Sequence, residues 1–184
     1  PFPDSIKQSR IMVFVDGENL AIRYGKMLGT KPPVTHVTYE PNVFVWSGLL
    51  NMHHHVSCEV TRRYYYTSVQ GDDEKLGAVH DRLQDLGIEA PRVFKKNKER
   101  GSKQVDISLA VEMLSHAHRG NYDAAVLVAG DGDYVPLVDA VAAAGRRVFL
   151  WFVKDGLSAV LRRRVDHFYD LGRVLFDEHA DRHF

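Results

Sequence analysis

The chain has 184 residues, of which 45% are hydrophobic and 26% charged, and its 24 Lys and Arg balance 24 Asp and Glu. These values fit one globular domain with a full core and exclude a polycation, so nucleic-acid binding would need a local basic patch. No apolar run reaches the roughly 18 residues that span a bilayer, so we expect no membrane contact. The single cysteine, Cys58, excludes an internal disulfide and fits a reducing compartment. Because residues 1–10 also lack the apolar stretch of a signal peptide, we expect a cytoplasmic protein.

Strand and helix patterns alternate along the first half of the chain. Ile11–Val15 is apolar throughout, which is typical of a parallel strand buried on both faces. Gly87 is a typical residue to end an amphipathic helix. The predicted elements are a strand at Ile11–Val15, helices at Asn19–Leu28 and Asn42–Met52, a strand at Cys58–Tyr66, a helix at Asp73–Leu86 and a strand at Ile88–Phe94.

The second half continues the alternation, which predicts an α/β fold with a mainly parallel central sheet. Gly145, which follows one of the predicted helices, is a residue type that favours helix termination. The predicted elements are a helix at Gln104–Ala117, a strand at Ala124–Ala129, a helix at Tyr134–Ala144, a strand at Arg147–Val153, a helix at Leu157–Val165 and a short edge strand near Val174.

Two of the predicted strands lead directly into carboxylates. Asp16 follows the first strand, and Asp131 and Asp133 follow the strand at Ala124–Ala129. Ligands of open α/β sheets bind at the carboxyl ends of the strands, so these side chains should lie on one edge of the sheet. Ordinary structural roles fit as well, because Asp-Gly is a common turn and cap sequence and Asp133 is placed to cap a turn before a helix.

Asp106 lies in the first turn of its predicted helix, where the helix dipole favours an acid. Leu109, Ala110 and Met113 follow it at helical spacing, so Asp106 heads an apolar stripe that should face the core. A capping carboxylate has no need to lie above that face, whereas an active-site carboxylate does. Together the four aspartates predict a site for Mg²⁺ or Mn²⁺, cations that prefer carboxylate oxygens and activate water against phosphodiesters.

A basic segment leads into Asp106. Its cations suit the RNA backbone, whose scissile phosphate would have to reach the acidic site. Gly101 indicates a loop that orders on binding, and a solvated loop is the alternative. The predicted RNA-binding residues are Arg92, Lys95, Lys96, Lys98, Arg100, Ser102 and Lys103.

Other residues have weaker functional interpretations. Tyr66, near the end of its strand, is placed to stack on a base, with Thr67 and Ser68 in reach of phosphate. The arginines at 162–164 point in different directions on a helix, so they cannot all grip one strand. The histidines at 53–55 cannot converge on a metal, because they are adjacent in the chain.

Three short motifs follow in order: Val15–Leu20 (VDGENL), Lys103–Ala110 (KQVDISLA) and Val128–Leu137 (VAGDGDYVPL). Their order and spacing resemble the NYN-domain family of PIN-like ribonucleases, close to its LabA-like subgroup. The resemblance extends over residues 11 to about 168. It implies a three-layer αβα PIN-like (Rossmann-like) domain and metal-dependent cleavage of RNA.

The resemblance also implies roles for individual residues. Asn19 would orient Asp16 or the substrate. Family members often carry Ser where this chain has Gly132 and Phe where it has Tyr134, and neither departure removes a carboxylate. The implied metal ligands are Asp16, Asp106, Asp131 and Asp133, and the implied catalytic residues are these four with Asn19.

The sequence therefore predicts a metal-dependent endoribonuclease with Mg²⁺ or Mn²⁺ as cofactor and RNA as substrate. The domain would cover residues 11–170, between an N-terminal tail at 1–10 and a C-terminal extension at 171–184. A homo-oligomer or a protein partner is left open. The alternative is a non-catalytic RNA-binding or protein-interaction module with the same fold. A phosphotransfer enzyme fits less well, because such enzymes usually carry a second Asp where this chain has Glu18.

Overall fold

The computed structural model describes residues 9–51, 58–96 and 103–183, without the side chains at 103, 182 and 183. No helix in these ranges is long and apolar enough to cross a membrane. The strands are β1 (Ser9–Asp16), β2 (Val37–Glu40), β3 (Phe44–Ser47), β4 (Cys58–Val69), β5 (Ala90–Lys95), β6 (Ala124–Val128), β7 (Arg147–Phe152) and β8 (His167–Asp170). The helices are α1 (Gly17–Met27), α2 (Asp73–Asp85), α3 (Lys103–His118), α4 (Val135–Ala143), α5 (Ala159–Arg164) and α6 (Gly172–Leu175), with 3-10 turns at Gly48–Asn51, Gly132–Tyr134 and Ala180–His183.

Within the described residues, six strands form one sheet in the order β5-β4-β1-β6-β7-β8, and every neighbouring pair is parallel. Side chains of β1 alternate between two cores. Val13 and Val15 pack on the side of α1, whereas Met12 and Phe14 pack on the side of α3. Helices therefore cover both faces of the sheet, which confirms the predicted three-layer α/β fold.

The predicted helix at Asn42–Met52 is wrong. This stretch contains β3, which forms an antiparallel hairpin with β2 through a turn that places Asn42 at a φ of 60°. All four β3 side chains are buried, and the aromatic and β-branched character of Phe44, Val45 and Trp46 favours an extended chain. The Tyr65 hydroxyl of β4 fixes the hairpin, because it accepts the Val45 N–H at 3.0 Å and donates to the Val45 carbonyl at 3.1 Å.

The predicted edge strand near Val174 is also misplaced. β8 is the edge strand next to β7, and Val174 lies buried in α6. The Asp170 carboxylate accepts the Gly172 N–H at 2.9 Å, which ends the strand and begins the helical turn. The other predicted elements are present with shifted ends, and β4 continues beyond Tyr66 to Val69.

Gly17 allows the ring of Tyr65 to pack against the start of α1. A Cβ at Gly17 would clash with this ring, which is buried and held by Val45. We expect Gly17→Ala to lower the free energy of unfolding by about 1–3 kcal/mol, as overpacking does. Urea denaturation followed by tryptophan fluorescence would measure it. Gly77→Ala on the exposed face of α2 is the matched control, since a Cβ there meets open space and should stabilise the helix slightly. Equal effects of the two substitutions would contradict the close contact.

Candidate active site

Asp16 ends β1 at the carboxyl edge of the sheet, between β4 and β6. Its side chain is buried, with the residue 3% exposed. Oδ1 accepts the Asn19 N–H at 3.1 Å, so Asp16 caps α1, as its turn sequence allowed. Capping engages one carboxylate oxygen and leaves Oδ2 for a second partner.

That partner is the buried Tyr134, whose hydroxyl joins Asp16 to Asp106. The hydroxyl oxygen lies 3.0 Å from Asp16 Oδ2 and 3.2 Å from Asp106 Oδ1. Asp106 is half-buried in the first turn of α3, and Leu109 and Met113 below it are fully buried, as the apolar stripe predicted. A phenol carries one proton, so two carboxylates share one donor. The pair would be stabilised further by an additional proton or a cation.

Burial controls the protonation of Asp16. It raises the pKa of Asp16 to about 7, with smaller contributions from the charges of Asp106 and Glu18. The Asn19 N–H and the Tyr134 hydroxyl oppose this shift, because both stabilise the ionised carboxylate. Burial also raises the pKa of Tyr134, so its hydroxyl keeps its proton and acts as a donor.

Asp131 and Asp133 lie on the loop after β6, and both are exposed. Asp131 Oδ1 accepts the Asp133 N–H at 3.0 Å, so Asp131 caps the 3-10 turn and the predicted capping role of Asp133 is wrong. Pro136 lies at the start of α4. Burial raises the pKa of Asp106, and the charges of Asp131 and Asp133 raise it further, so both act on the buried pair.

The donors at this edge fit a hard cation, because all are carboxylate oxygens. Among residues 9–51, 58–96 and 103–183, no group of three or more His, Cys, Asp or Glu side chains is arranged to hold a metal ion. Asp16 and Asp106 nevertheless contact one common oxygen atom. Mg²⁺ in proteins is often held by one or two carboxylates, with water and substrate phosphates as the other ligands. The pair fits that mode of binding.

Asn19 contacts Asp16 through its backbone, and its side chain is half-buried. Any residue except proline would supply the same N–H, so this contact gives no reason for an asparagine. A role of the side-chain amide in orienting Asp16 or the substrate stays a prediction.

Glu18 is a functional candidate that the sequence motifs did not single out. Its side chain is 5% exposed, Oε2 accepts the Ser68 hydroxyl at 2.7 Å, and Oε1 pairs with the Lys96 ammonium. The available signal was an acid two residues after the carboxylate that ends β1. Its partners Ser68 and Lys96 are distant in sequence, so the ion pair itself could not be read from a local motif.

The predicted RNA-binding residues lie in different surroundings. Arg92 donates to both carboxylate oxygens of Glu112, at 3.2 and 2.9 Å, which commits its guanidinium to an ion pair. Lys95 is exposed at the end of β5, and Lys96 is paired with Glu18. The rest lie outside the described part of the chain: Lys98, Arg100, Ser102 and the side chain of Lys103.

The interpretations of Tyr66, Thr67 and Ser68 as RNA contacts are wrong. All three residues are buried. The Tyr66 hydroxyl donates to Glu112 at 2.7 Å, and the Thr67 hydroxyl donates to the Val43 carbonyl. Their hydroxyls therefore hold β4 to its neighbouring layers.

The arginines of α5 point apart, as helix geometry predicted. Arg162 lies over the Phe168 ring at 4.9 Å, and Arg164 pairs with Asp139 at 3.1 Å. The histidines at 53–55 lie outside the described residues.

The fold has three layers, with helices on both faces of a parallel sheet. A buried aspartate ends an interior strand and lies beside an aspartate at the head of α3. These features define a PIN-like α/β domain. The chain belongs to the NYN domain family, whose model matches residues 10–172. This confirms the resemblance of the three motifs. Membership implies a nuclease-like, RNA-related function, and domains of this kind commonly use divalent metal ions.

The chain is also similar in sequence to a further protein and in fold to a solved structure. The chain is 21% identical over 178 residues to the low amplitude and bright protein LabA of Synechococcus elongatus. The aligned region covers 92% of this chain and 88% of LabA. The chain is also similar to the crystal structure of a protein of unknown function from Vibrio parahaemolyticus, with a TM-score of 0.65 and 20% identity over 91% of this chain and 96% of the other. At this identity the structural likeness shows the fold alone.

The raised pKa of Asp16 makes stability depend on pH. The folded protein keeps the Asp16 proton up to about pH 7, whereas the unfolded chain loses it near the ordinary pKa of 3.8. Between these values the unfolded chain binds fewer protons, so the free energy of unfolding of the metal-free protein falls as pH rises. Relative to Asp16→Asn, we expect the wild type to lose up to about 1.4 kcal/mol per pH unit in this window. Urea denaturation in EDTA from pH 4.5 to 8 would measure it, and parallel curves for the two proteins would contradict the burial cost.

Tyr134→Phe would remove the hydroxyl that lowers the pKa of Asp16. We expect Asp16 to keep its proton to higher pH in this variant, so the pH-dependent loss of stability should extend further into the alkaline range. The same denaturation series would show the displacement. Tyr122→Phe is the matched control, because its buried hydroxyl donates to the Met113 carbonyl at 2.8 Å and not to a carboxylate. An identical pH dependence in both variants would show that Tyr134 does not stabilise the ionised pair.

Proposed function

We propose that this protein is a metal-dependent endoribonuclease that hydrolyses RNA phosphodiester bonds at the carboxyl edge of its sheet. The observation that carries the proposal is the contact of two aspartates from distant segments, Asp16 and Asp106, with one Tyr134 hydroxyl. Carboxylates with pKa values raised by burial and neighbouring charge are typical of functional sites. Membership of a family of nuclease-like domains supports the same chemistry.

In this proposal the aspartates hold Mg²⁺ or Mn²⁺. Asp16 and Asp106 would hold it as the buried pair, and Asp131 and Asp133 would add negative charge from the exposed loop. A cation of this kind activates water and offsets the charge that develops on the leaving oxygen. Asn19 completes the catalytic set by orienting Asp16 or the substrate.

The residues of the chain itself fix the orientation of Asp16. The Asn19 N–H holds Oδ1 and the Tyr134 hydroxyl holds Oδ2, so the carboxylate cannot rotate freely. With a pKa of about 7, Asp16 loses its proton near neutral pH. The negative charge that Asp16 offers to a cation therefore increases as pH rises through neutrality.

RNA binding is assigned to the basic residues from Arg92 in β5 to Lys103 at the start of α3. The connection of these residues to the first turn of α3 supports this assignment, because that turn carries Asp106. Cations near the acidic edge would bind the phosphates that flank the scissile one. The assigned residues are Arg92, Lys95, Lys96, Lys98, Arg100, Ser102 and Lys103.

A non-catalytic RNA-binding or regulatory protein-interaction module is the second candidate function. One observation favours it: in the described parts of the chain, no three His, Cys, Asp or Glu side chains are arranged so that they could hold a metal ion. Such a module would bind RNA without cleaving it in the presence of any divalent metal.

The remaining features of the proposal concern the whole chain. We place the nuclease domain at residues 11–170, flanked by 1–10 and 171–184. The single cysteine, Cys58, supports a reducing compartment such as the cytoplasm. A homo-oligomer or a protein partner is compatible with this function.

Cleavage of a circular single-stranded RNA in Mn²⁺ tests the proposal, because only an endonuclease opens a circle. We expect the wild type to open it and Asp106→Asn or Asp131→Asn to reduce the rate about 100-fold, since each substitution weakens charge stabilisation at the reacting phosphate. Asp81→Asn is the control, because Asp81 is an exposed carboxylate on α2. Equal cleavage by all four proteins would indicate a contaminating nuclease, and binding without cleavage would favour the non-catalytic module.

A further inference from the structure

A second charged group lies beside the aspartates on the same edge of the sheet. It consists of Glu18 in the first turn of α1, Ser68 near the end of β4 and Lys96 directly after β5. The Ser68 hydroxyl and the Lys96 ammonium donate to different oxygens of the Glu18 carboxylate. The group therefore joins the segment that follows Asp16 to the start of the basic segment.

Glu18 and Lys96 differ in their access to solvent. The Glu18 side chain is 5% exposed, whereas that of Lys96 is 38% exposed. The Lys96 backbone is fixed as well, because its N–H donates to the Val69 carbonyl at 2.8 Å. An ammonium has three N–H donors, and one of them is directed to Glu18. Within the described part of the chain, Lys96 thus presents a cation held at one donor, with its other donors left for a ligand.

The stability of the fold gives little reason for this ion pair. A buried carboxylate loses its hydration, and its attraction to a partner only offsets that loss, so apolar residues of similar size would often serve as well. Holding a long lysine side chain in one geometry also costs side-chain entropy. The lost hydration and the lost side-chain entropy have a functional reason if a cation has to lie at a defined place.

The place of Lys96 suits the backbone of a polyanion. The negative charges of Asp16, Glu18 and Asp106 act on one another at this edge, so an approaching phosphate meets repulsion. An ammonium beside them offsets that repulsion and donates charge-assisted hydrogen bonds to phosphate oxygens. Arg92, within β5, is already paired with Glu112.

We propose that Glu18 is a positioning residue that holds Lys96 where it binds a phosphate of the RNA next to the scissile one. This inference rests on the proposed function, because its ligand is the RNA backbone. Glu18 acts through Lys96 and touches neither the metal nor the RNA. Lys96 is the residue in contact with the phosphate.

RNA binding in EDTA tests Lys96 separately from catalysis. The probe is a fluorescently labelled single-stranded oligouridylate, and anisotropy is measured at several salt concentrations. Lys96→Met should weaken binding about 10-fold and reduce the slope of log affinity against log salt by about 0.7, the value for one phosphate contact. Lys96→Arg should restore the slope. Lys26→Met, in the last turn of α1, is the charge-matched control and should leave the slope unchanged.

Glu18→Gln tests the positioning role. The substitution removes a negative charge near the RNA, which by charge alone would tighten binding. A positioning role predicts the opposite, a loss of about 3-fold, and no further loss when Lys96 is already replaced. The double variant Glu18→Gln/Lys96→Met leaves no unpaired buried charge, so it reports on Lys96 even if Lys96→Met alone does not fold.

Unchanged or tighter binding by folded Glu18→Gln would overturn the positioning role, and an unchanged salt slope without Lys96 would overturn the phosphate contact. The expected losses in a protein that cleaves no RNA would support this inference and remove the proposed catalysis. RNA cleavage and RNA binding that are both unchanged by Glu18→Gln and Lys96→Met would overturn this inference and leave the proposed catalysis standing. A wild type that binds no oligouridylate would overturn the inference.

Discussion

The burial of one carboxylate, that of Asp16, is the constraint on which the rest of the site depends. An ionised group at the end of an interior strand is unfavourable unless donors or a cation compensate for its lost hydration. The start of α1 supplies an N–H from Asn19, and the turn before α4 supplies the Tyr134 hydroxyl. The same hydroxyl reaches Asp106, so α3 is drawn to the same point. Four segments of the chain thus meet where one charge has to be stabilised.

This arrangement leaves the metal-free site balanced between two states near neutral pH. Asp16 is partly protonated there, because its pKa is about 7. A cation would therefore compete with a proton for the carboxylate, and its binding would release that proton. Because Tyr134 has one proton for two acids, it can keep the pair together without neutralising it. A cation at this site would in this sense take the place of the proton on Asp16.

The parts that the sequence predicted correctly are those set by local pattern. The continuous apolar runs of β1 and β6 identify buried parallel strands, and helical spacing after Asp106 places that residue above the core. The hairpin at Val37–Ser47 was not predicted, because a short apolar run fits a helix or a strand equally well. What decides between them is the Tyr65 hydroxyl, which comes from twenty residues further along the chain. The pairing of Glu18 with Lys96 spans 78 residues, and no local rule reveals such a contact.

The packing of Tyr65 against Gly17 links the hairpin to the residue that follows Asp16. The Tyr65 side chain is hydrogen-bonded to β3 through its hydroxyl, and the edge of its ring packs against Gly17, the first residue of α1. We therefore expect the residue at one of these positions to limit the residue at the other. A relative that carries a larger residue at the position of Gly17 would need a smaller one at that of Tyr65, and would then have to anchor its hairpin by another contact. Sequence change in the hairpin is in this way restricted by the packing of the residue that follows Asp16.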